Sequence, residues 1–277
     1  MARGLGKAKK GRGKSEHTHK HKKSFPVIVE NLINEVDIVL EILDARFIEK
    51  SRHYDLEKKM KNSKKVLIHV LNKADLVNTN EIVKNEEFDS FKIYLFFSVK
   101  KRRGVRTLKD LIKIEAKKLG KEVTNVGIVG YPNTGKSSII NLLTGKSSAK
   151  TSPEAGYTKG IQKIKLSTNL YLIDTPGVIP MSEKHSHKKD HSEKHSQIGA
   201  ITWDKTKNPG MVVHYLMKDN WGLLEKYYKI KVKDADSEML IEKLGEKLNY
   251  KLKGNEVDEK RTAKKILKDW QEGKIKT

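Results

Sequence analysis

The residues best spaced for chemistry lie in one run, Gly130-Tyr131-Pro132-Asn133-Thr134-Gly135-Lys136-Ser137. A glycine at each bend lets consecutive backbone N–H groups wrap round a polyphosphate. The helix expected from Ser138 onward would add partial positive charge at its N-terminus. Lys136 is placed to reach the β- and γ-phosphates, and the Ser137 hydroxyl to ligate magnesium. Asn133, Thr134 and Ser138 belong to the same cofactor-binding set.

A second group, Asn72-Lys73-Ala74-Asp75, reads a base. A carboxylate can accept two hydrogen bonds from a purine that carries an N1–H and a 2-amino group, which is guanine and not adenine. Asp75 would make that pair, Asn72 would fix the loop and meet the base edge, and the Lys73 stem would lie over the ring. Ser98-Val99-Lys100 would offer a backbone N–H to guanine O6. Downstream, Thr158 would give magnesium a hydroxyl and the γ-phosphate region a backbone group. Asp174 would hold magnesium through water, and the Gly177 N–H would contact the γ-phosphate. Together these residues describe a guanine-nucleotide site with magnesium at Ser137, Thr158 and Asp174.

Such residues must be presented by strand ends, and the hydrophobic pattern supplies them. Residues 36–43, 65–71, 92–97, 126–129, 161–166 and 169–173 read as strands. Helices are expected at 26–34, 54–62, 81–88, 104–119 and from 138. The nearly continuous apolar run at 65–71 suits a parallel sheet covered on both faces. Strand and helix alternate, and each motif follows a strand, so the fold class is α/β, a doubly wound and mostly parallel sheet with its ligand at the strand C-termini. Helices are expected again at 209–217, 223–228, 236–247 and 258–272, the last with an apolar stripe of Ala263, Ile266, Leu267 and Trp270. The organisation read from this is a basic tail (1–24), the nucleotide domain (25–180), a polar loop (181–204) and a helical C-terminal domain (205–277).

Composition narrows the function classes. A net charge of +23 from 58 basic and 35 acidic residues points to a polyanionic partner. The absence of cysteine removes disulfides, thiol catalysis and thiolate zinc sites. No apolar run reaches the length of a membrane span and no signal-peptide core opens the chain, so a soluble cytoplasmic protein is expected. The tail holds nine Lys and Arg against one acid, Glu16, and reads either as an arm tracking a phosphate backbone or as a solvated tail. His17, His19 and His21 there, and His185, His187, His191 and His195 in the polar loop, have chelating spacings. Neighbouring lysines and low-complexity sequence argue instead for a disordered tail and a mobile loop.

The motifs, in the order NKAD, SVK, GYPNTGKS, GYTKG, DTPG, resemble those of Ras-like GTPases with the order permuted. The chain is therefore similar to the circularly permuted GTPases of the YlqF/YawG (RbgA-like) family, whose "DAR" segment Asp44-Ala45-Arg46 resembles. The resemblance covers roughly residues 25–180 and, more loosely, the C-terminal end. It implies GTP/GDP and magnesium as cofactors and a role in assembly of the large ribosomal subunit, with rRNA and the subunit or its precursor as partners of a monomer. Val178, after DTPG, stands where the wider class has a water-orienting glutamine. The family shares that change, which implies reliance on potassium and on the partner, and Asn133 matches the asparagine associated with potassium in cation-dependent relatives. Lys136, Thr158, Gly177 and Asn133 are then the catalytic set. Two other readings stand beside it: a GTP-gated rRNA-binding module with negligible hydrolysis, and a phosphate-loop enzyme of another kind such as a kinase.

Overall fold

Ile38–Asp44, the first strand (β1), is buried along its whole length because both faces and both edges of it are covered. The computed structural model in which this is seen describes residues 25–63, 65–84, 86–145, 162–174, 189–233 and 236–277. Before β1 comes α1 (Phe25–Glu35), and after it α2 (Ile48–Ser51), α3 (Tyr54–Lys61), β2 (Val66–Asn72), α4 (Thr79–Ile82), β3 (Tyr94–Phe96) and α5 (Val105–Leu119). Then follow β4 (Thr124–Val129), α6 (Lys136–Thr144), β5 (Gln162–Ser167) and β6 (Leu170–Asp174). Alternation along β1 divides the core. Ile38, Leu40 and Ile42 pack with Leu108 and Ile112 of α5 and Ile139 of α6. Val39 packs on the other face with Leu32 of α1 and Leu56 and Met60 of α3. Each such side chain contributes roughly 1.5–3 kcal/mol through burial.

The described strands form one sheet in the order β3-β2-β1-β4-β6-β5, parallel except for β5, which runs antiparallel to β6. The chain moves outward from β1 to β2 and β3, then returns to β1's other side as β4. That reversal is a topological switch point, and ligands of open α/β sheets bind in the crevice beyond it. Asp44, Asn72, Val129 and Asp174 all end strands at that edge. Among the described residues no helix is long and apolar enough to cross a membrane.

A second, helical unit contains α7 (Lys189–Gln197), α8 (Pro209–Asp219), α9 (Leu223–Tyr228), α10 (Ser237–Lys247) and α11 (Glu259–Gln271). Its core joins Val212, Leu216, Leu240, Leu244, Ile266 and Trp270, and Phe47 and Tyr131 of the first unit enter the same cluster. The two units therefore share apolar packing.

Two local expectations change. The polar loop expected over 181–204 is helical at Lys189–Gln197, and Ile198 and Ala200 lie in the helical core. Hydrophobic periodicity misses α7 because what it buries is polar: Trp270 Nε1 donates to the Gln197 carbonyl (3.1 Å) and Gln271 Nε2 to that of Ser196 (2.8 Å). The helix expected over 81–88 is the short α4, capped by the Asn78 side chain, and a separate 3-10 turn at Glu86–Ser90. With few apolar residues in the segment there is no two-turn stripe to hold one longer helix. The expected tail lies outside the described residues.

Candidate nucleotide-binding site

β4 ends at Val129 and α6 begins at Lys136, so the loop from Gly130 to Gly135 turns directly over the switch point. Its two glycines are required by close approach. A Cβ on Gly130 would lie 2.6 Å from the Ile42 carbonyl oxygen, and one on Gly135 (φ +103°) would lie 2.3 Å from Asn72 Nδ2. Thr134 is buried, its hydroxyl donating to the Tyr131 carbonyl at 2.9 Å. The Lys136 ammonium donates to the carbonyls of Gly130 (3.0 Å) and Tyr131 (2.7 Å), which holds a positive charge across the loop. Ser137 and Ser138 sit in the first turn of α6, where unpaired backbone N–H groups and the helix dipole favour an anion.

Asn72 joins three loops. Its Nδ2 donates to the Thr134 carbonyl (2.7 Å) and its Oδ1 accepts the Val99 N–H (3.2 Å). The residue is buried, so the phosphate loop and the Ser98-Val99-Lys100 loop share one strut. Asp75 lies in the 3-10 turn Ala74–Leu76 and accepts a 2.5 Å hydrogen bond from the Ser98 hydroxyl. A cavity of about 250 Å³ is lined by Asn72, Lys73, Asp75, Val99, Lys100 and Ser138, with Gly135. Residues of three of the motifs chosen from the sequence thus line one hollow.

Lys73 lines the same cavity. It takes a left-handed backbone (φ 64°), and its ammonium donates to Asp44 Oδ2 at 2.6 Å. Asn133, also left-handed (φ 62°), donates through Nδ2 to the Gly199 carbonyl at 2.8 Å and so ties the phosphate loop to the turn after α7. Asp174 ends β6 beside Ile128 of β4. Thr158, Gly177 and Val178 lie outside the described residues, as do His185 and His187.

Sequence reasoning assigned no role to Asp44 and Arg46, and the structure supplies one. Both side chains are fully buried. Asp44 accepts from Arg46 Nε (3.0 Å) and Nη2 (2.8 Å) as well as from Lys73. Burial raises the Asp44 pKa, but the Arg46 and Lys73 charges outweigh it and hold the carboxyl well below the usual carboxylate range. Burial likewise pushes the Lys73 pKa down, against the pull of Asp44. Arg46 Nη1 donates to the Trp270 carbonyl (2.8 Å), and the guanidinium lies 4.6 Å from the indole centroid. An Asp-x-Arg at a strand's C-terminal end was the signal available. No signal marked Gln271, Glu272 and Gly273, which line the same cavity as Asp75. They are placed there as Gly273 packs on Leu76 and the Thr277 N–H donates to the Leu76 carbonyl at 2.8 Å.

Comparison with known proteins agrees with this geometry. The family described as "50S ribosome-binding GTPase" matches residues 125–247. An uncharacterized GTP-binding protein of Methanocaldococcus jannaschii is 42% identical over 260 residues, covering 91% of this chain and 67% of the relative. Nucleolar GTP-binding protein 2 of Saccharomyces cerevisiae is 35% identical over 88% of this chain, which spans 50% of that protein. Among solved structures, GNP-bound YlqF from T. maritima superposes with a TM-score of 0.64 at 22% identity, covering 90% of this chain and 94% of that one. At that identity the likeness concerns the fold.

Proposed function

The chain belongs to the circularly permuted GTPases of the YlqF/YawG family, and from that premise we propose that it binds and hydrolyses GTP while acting on a maturing large ribosomal subunit. The observation that carries the nucleotide reading is the Asn72 strut, which sets the phosphate loop and the Asp75 turn around one hollow. Asp75 reads the guanine N1–H and 2-amino group, and the Lys100 backbone N–H reads O6. The loop N–H groups and Lys136 hold the β- and γ-phosphates.

Ser137, Thr158 and Asp174 are the residues that would hold magnesium; hydroxyl and carboxylate oxygens are the hard donors it takes. Bound there, the ion offsets phosphate charge. Gly177 would meet the γ-phosphate. Val178 has no group to orient water, so intrinsic turnover is slow. Asn133 Oδ1 is the donor a potassium ion would use, its amide being oriented by Gly199. The nucleotide state reaches the helical unit through that bond and through Gln271–Gly273 on the cavity wall.

RNA contact is supported by a groove of about 430 Å³ along α11, lined by Trp203, Tyr250, Lys260, Arg261, Lys264 and Lys268, with Lys265 and Asp258. Arg261 lies 4.0 Å from the Tyr250 centroid and Lys268 5.1 Å from that of Trp203. Cations interleaved with ring faces suit a phosphate backbone with stacked bases. A solvated helix face would need no such rings.

The test is GTP turnover in potassium buffer with and without large subunits. Stimulation by large subunits alone supports an assembly GTPase. Tight GTP-dependent subunit binding without turnover supports the gated RNA-binding module instead. Asp75→Asn should cut GTP affinity about 10–100-fold, since one charge-assisted bond is worth about 1.5–3 kcal/mol. An unchanged preference for GTP over ATP would overturn the guanine reading. Asn133→Ala should abolish potassium stimulation; full stimulation would remove potassium from the scheme.

A further inference from the structure

Away from the nucleotide hollow, the sheet carries a polar cluster in its core that the GTPase reading does not use. The β1–β2 register sets Glu41 directly beside His69, on the face covered by α3, and the first turn of α3 adds Glu57. His69 Nε2 lies 3.4 Å from Glu41 Oε2 and 3.8 Å from Glu57 Oε1, and all three donor atoms fall within 4.8 Å of one another. Glu41 is fully buried and His69 is 5% exposed. Among the described residues, Glu41 Oε2 and both ring nitrogens of His69 have no hydrogen-bond partner.

We propose that Glu41, Glu57 and His69, with a water as fourth ligand, bind one divalent first-row transition ion of the Zn2+ class, at a site separate from the nucleotide's magnesium. A tetrahedral ion at about 2.0–2.2 Å from each ligand holds neighbouring donors about 3.3–3.6 Å apart, close to the two spacings observed. A histidine–carboxylate pair sharing a proton would close to about 2.7–2.9 Å. The 3.4 and 3.8 Å separations are longer than that bond and leave room for an ion between the groups. One nitrogen and two carboxylates, without sulfur, select Zn2+, Co2+ or Mn2+ over copper(I), and over Ca2+, which takes more oxygens.

The surroundings orient the ligands. The His53 N–H donates to Glu41 Oε1 at 2.7 Å, leaving Oε2 toward His69. Arg52 holds Glu57 through Nε (2.8 Å) and Nη2 (2.6 Å). Burial, and then the Glu57 charge, push the Glu41 pKa up, a cost that a cation removes. With neutral histidine, two carboxylates and one guanidinium carry a net charge of −1, so a divalent ion leaves +1. Glu57, the least enclosed ligand, gives the entry path. The His53 ring stacks on Tyr131 of the phosphate loop with centroids 4.6 Å apart, so the ion would brace the floor of that loop.

The experiment uses the full chain, freed of nucleotide and magnesium, titrated with Co2+ and separately with Zn2+. Comparison with His69→Gln and Glu57→Gln isolates the site from any uptake by the histidine-rich segments. The proposal expects an intense visible Co2+ band of tetrahedral type in the parent chain. Both variants should lose that band and bind one ion fewer per chain, and Zn2+ should raise the Tm of the parent but not of the variants. If His69→Gln fails to fold, Glu57→Gln carries the comparison. Equal stoichiometry and spectra in parent and variants, or no tetrahedral band in the parent, would overturn it. GTP affinity measured on the same samples keeps this result separate from the nucleotide reading.

Discussion

Replacing Arg46 with alanine tests whether the two units are fastened by charge as well as by packing. The substitution deletes a two-bond fork to Asp44 (3.0 and 2.8 Å), a 2.8 Å bond to the Trp270 carbonyl and the stacking on its indole. Asp44 would keep Lys73 as its one remaining cationic partner, at a site with no solvent access. Removing one member of a buried ion pair costs about 3–5 kcal/mol, because the other charge stays buried. The lost carbonyl bond and cation–π contact fall within that figure, since such terms are not additive. Against a typical total of about 5–15 kcal/mol the loss is large. Urea unfolding followed by tryptophan fluorescence and far-UV circular dichroism would measure it, Trp270 being buried at the junction. Arg46→Lys, which keeps charge but not the fork, should fall between parent and alanine. A loss below about 1 kcal/mol for Arg46→Ala would refute the reasoning, showing that Lys73 alone satisfies Asp44.

Acid should act through the same group. The folded pKa of Asp44 is depressed, so its contribution is complete above the unfolded carboxylate value near pH 4 and is lost as pH falls through the folded value. Acid titration of Arg46→Ala, where the depression is smaller, should show a smaller loss that is complete at a higher pH. Gly135→Ala forces a Cβ to 2.3 Å from Asn72 Nδ2 at φ +103°. It should destabilise the chain by about 2 kcal/mol or more and abolish GTP binding in calorimetry. In the α11 groove, Arg261→Ala with Lys268→Ala should flatten the salt dependence of RNA affinity by about two ion contacts, about one per cation removed. An unchanged slope would place the RNA elsewhere.

The sheet was legible because its strands are long apolar runs ending in punctuated motifs. Asn72, Asp75, Ser98 and Lys136 were legible as types at set spacings. Their connections were not. That Asn72 spans two loops, or that the Lys73 ammonium pairs with Asp44, depends on loops distant in sequence meeting at one edge. Helix α7 escaped because the residues it buries, Glu193, His195 and Gln197, are polar, which leaves no apolar stripe. The cavity wall at Gln271–Gly273 escaped for the same reason at longer range, its partner Leu76 lying in the other unit.

The sheet order has a consequence for biosynthesis. β1 is covered on one edge by β2, which follows soon after it, but on the other by β4, which begins roughly 80 residues after β1 ends. At ~5–20 residues per second the ribosome takes on the order of ten seconds to deliver that second neighbour. In that interval the nascent first half of the sheet presents a bare, nearly all-apolar strand edge, the kind that recruits other chains. The charge inside that strand is Glu41, paired in register with Val129 once β4 arrives. A buried carboxylate thus guards the unfinished strand edge, and Glu41→Val should lower the soluble yield from translation.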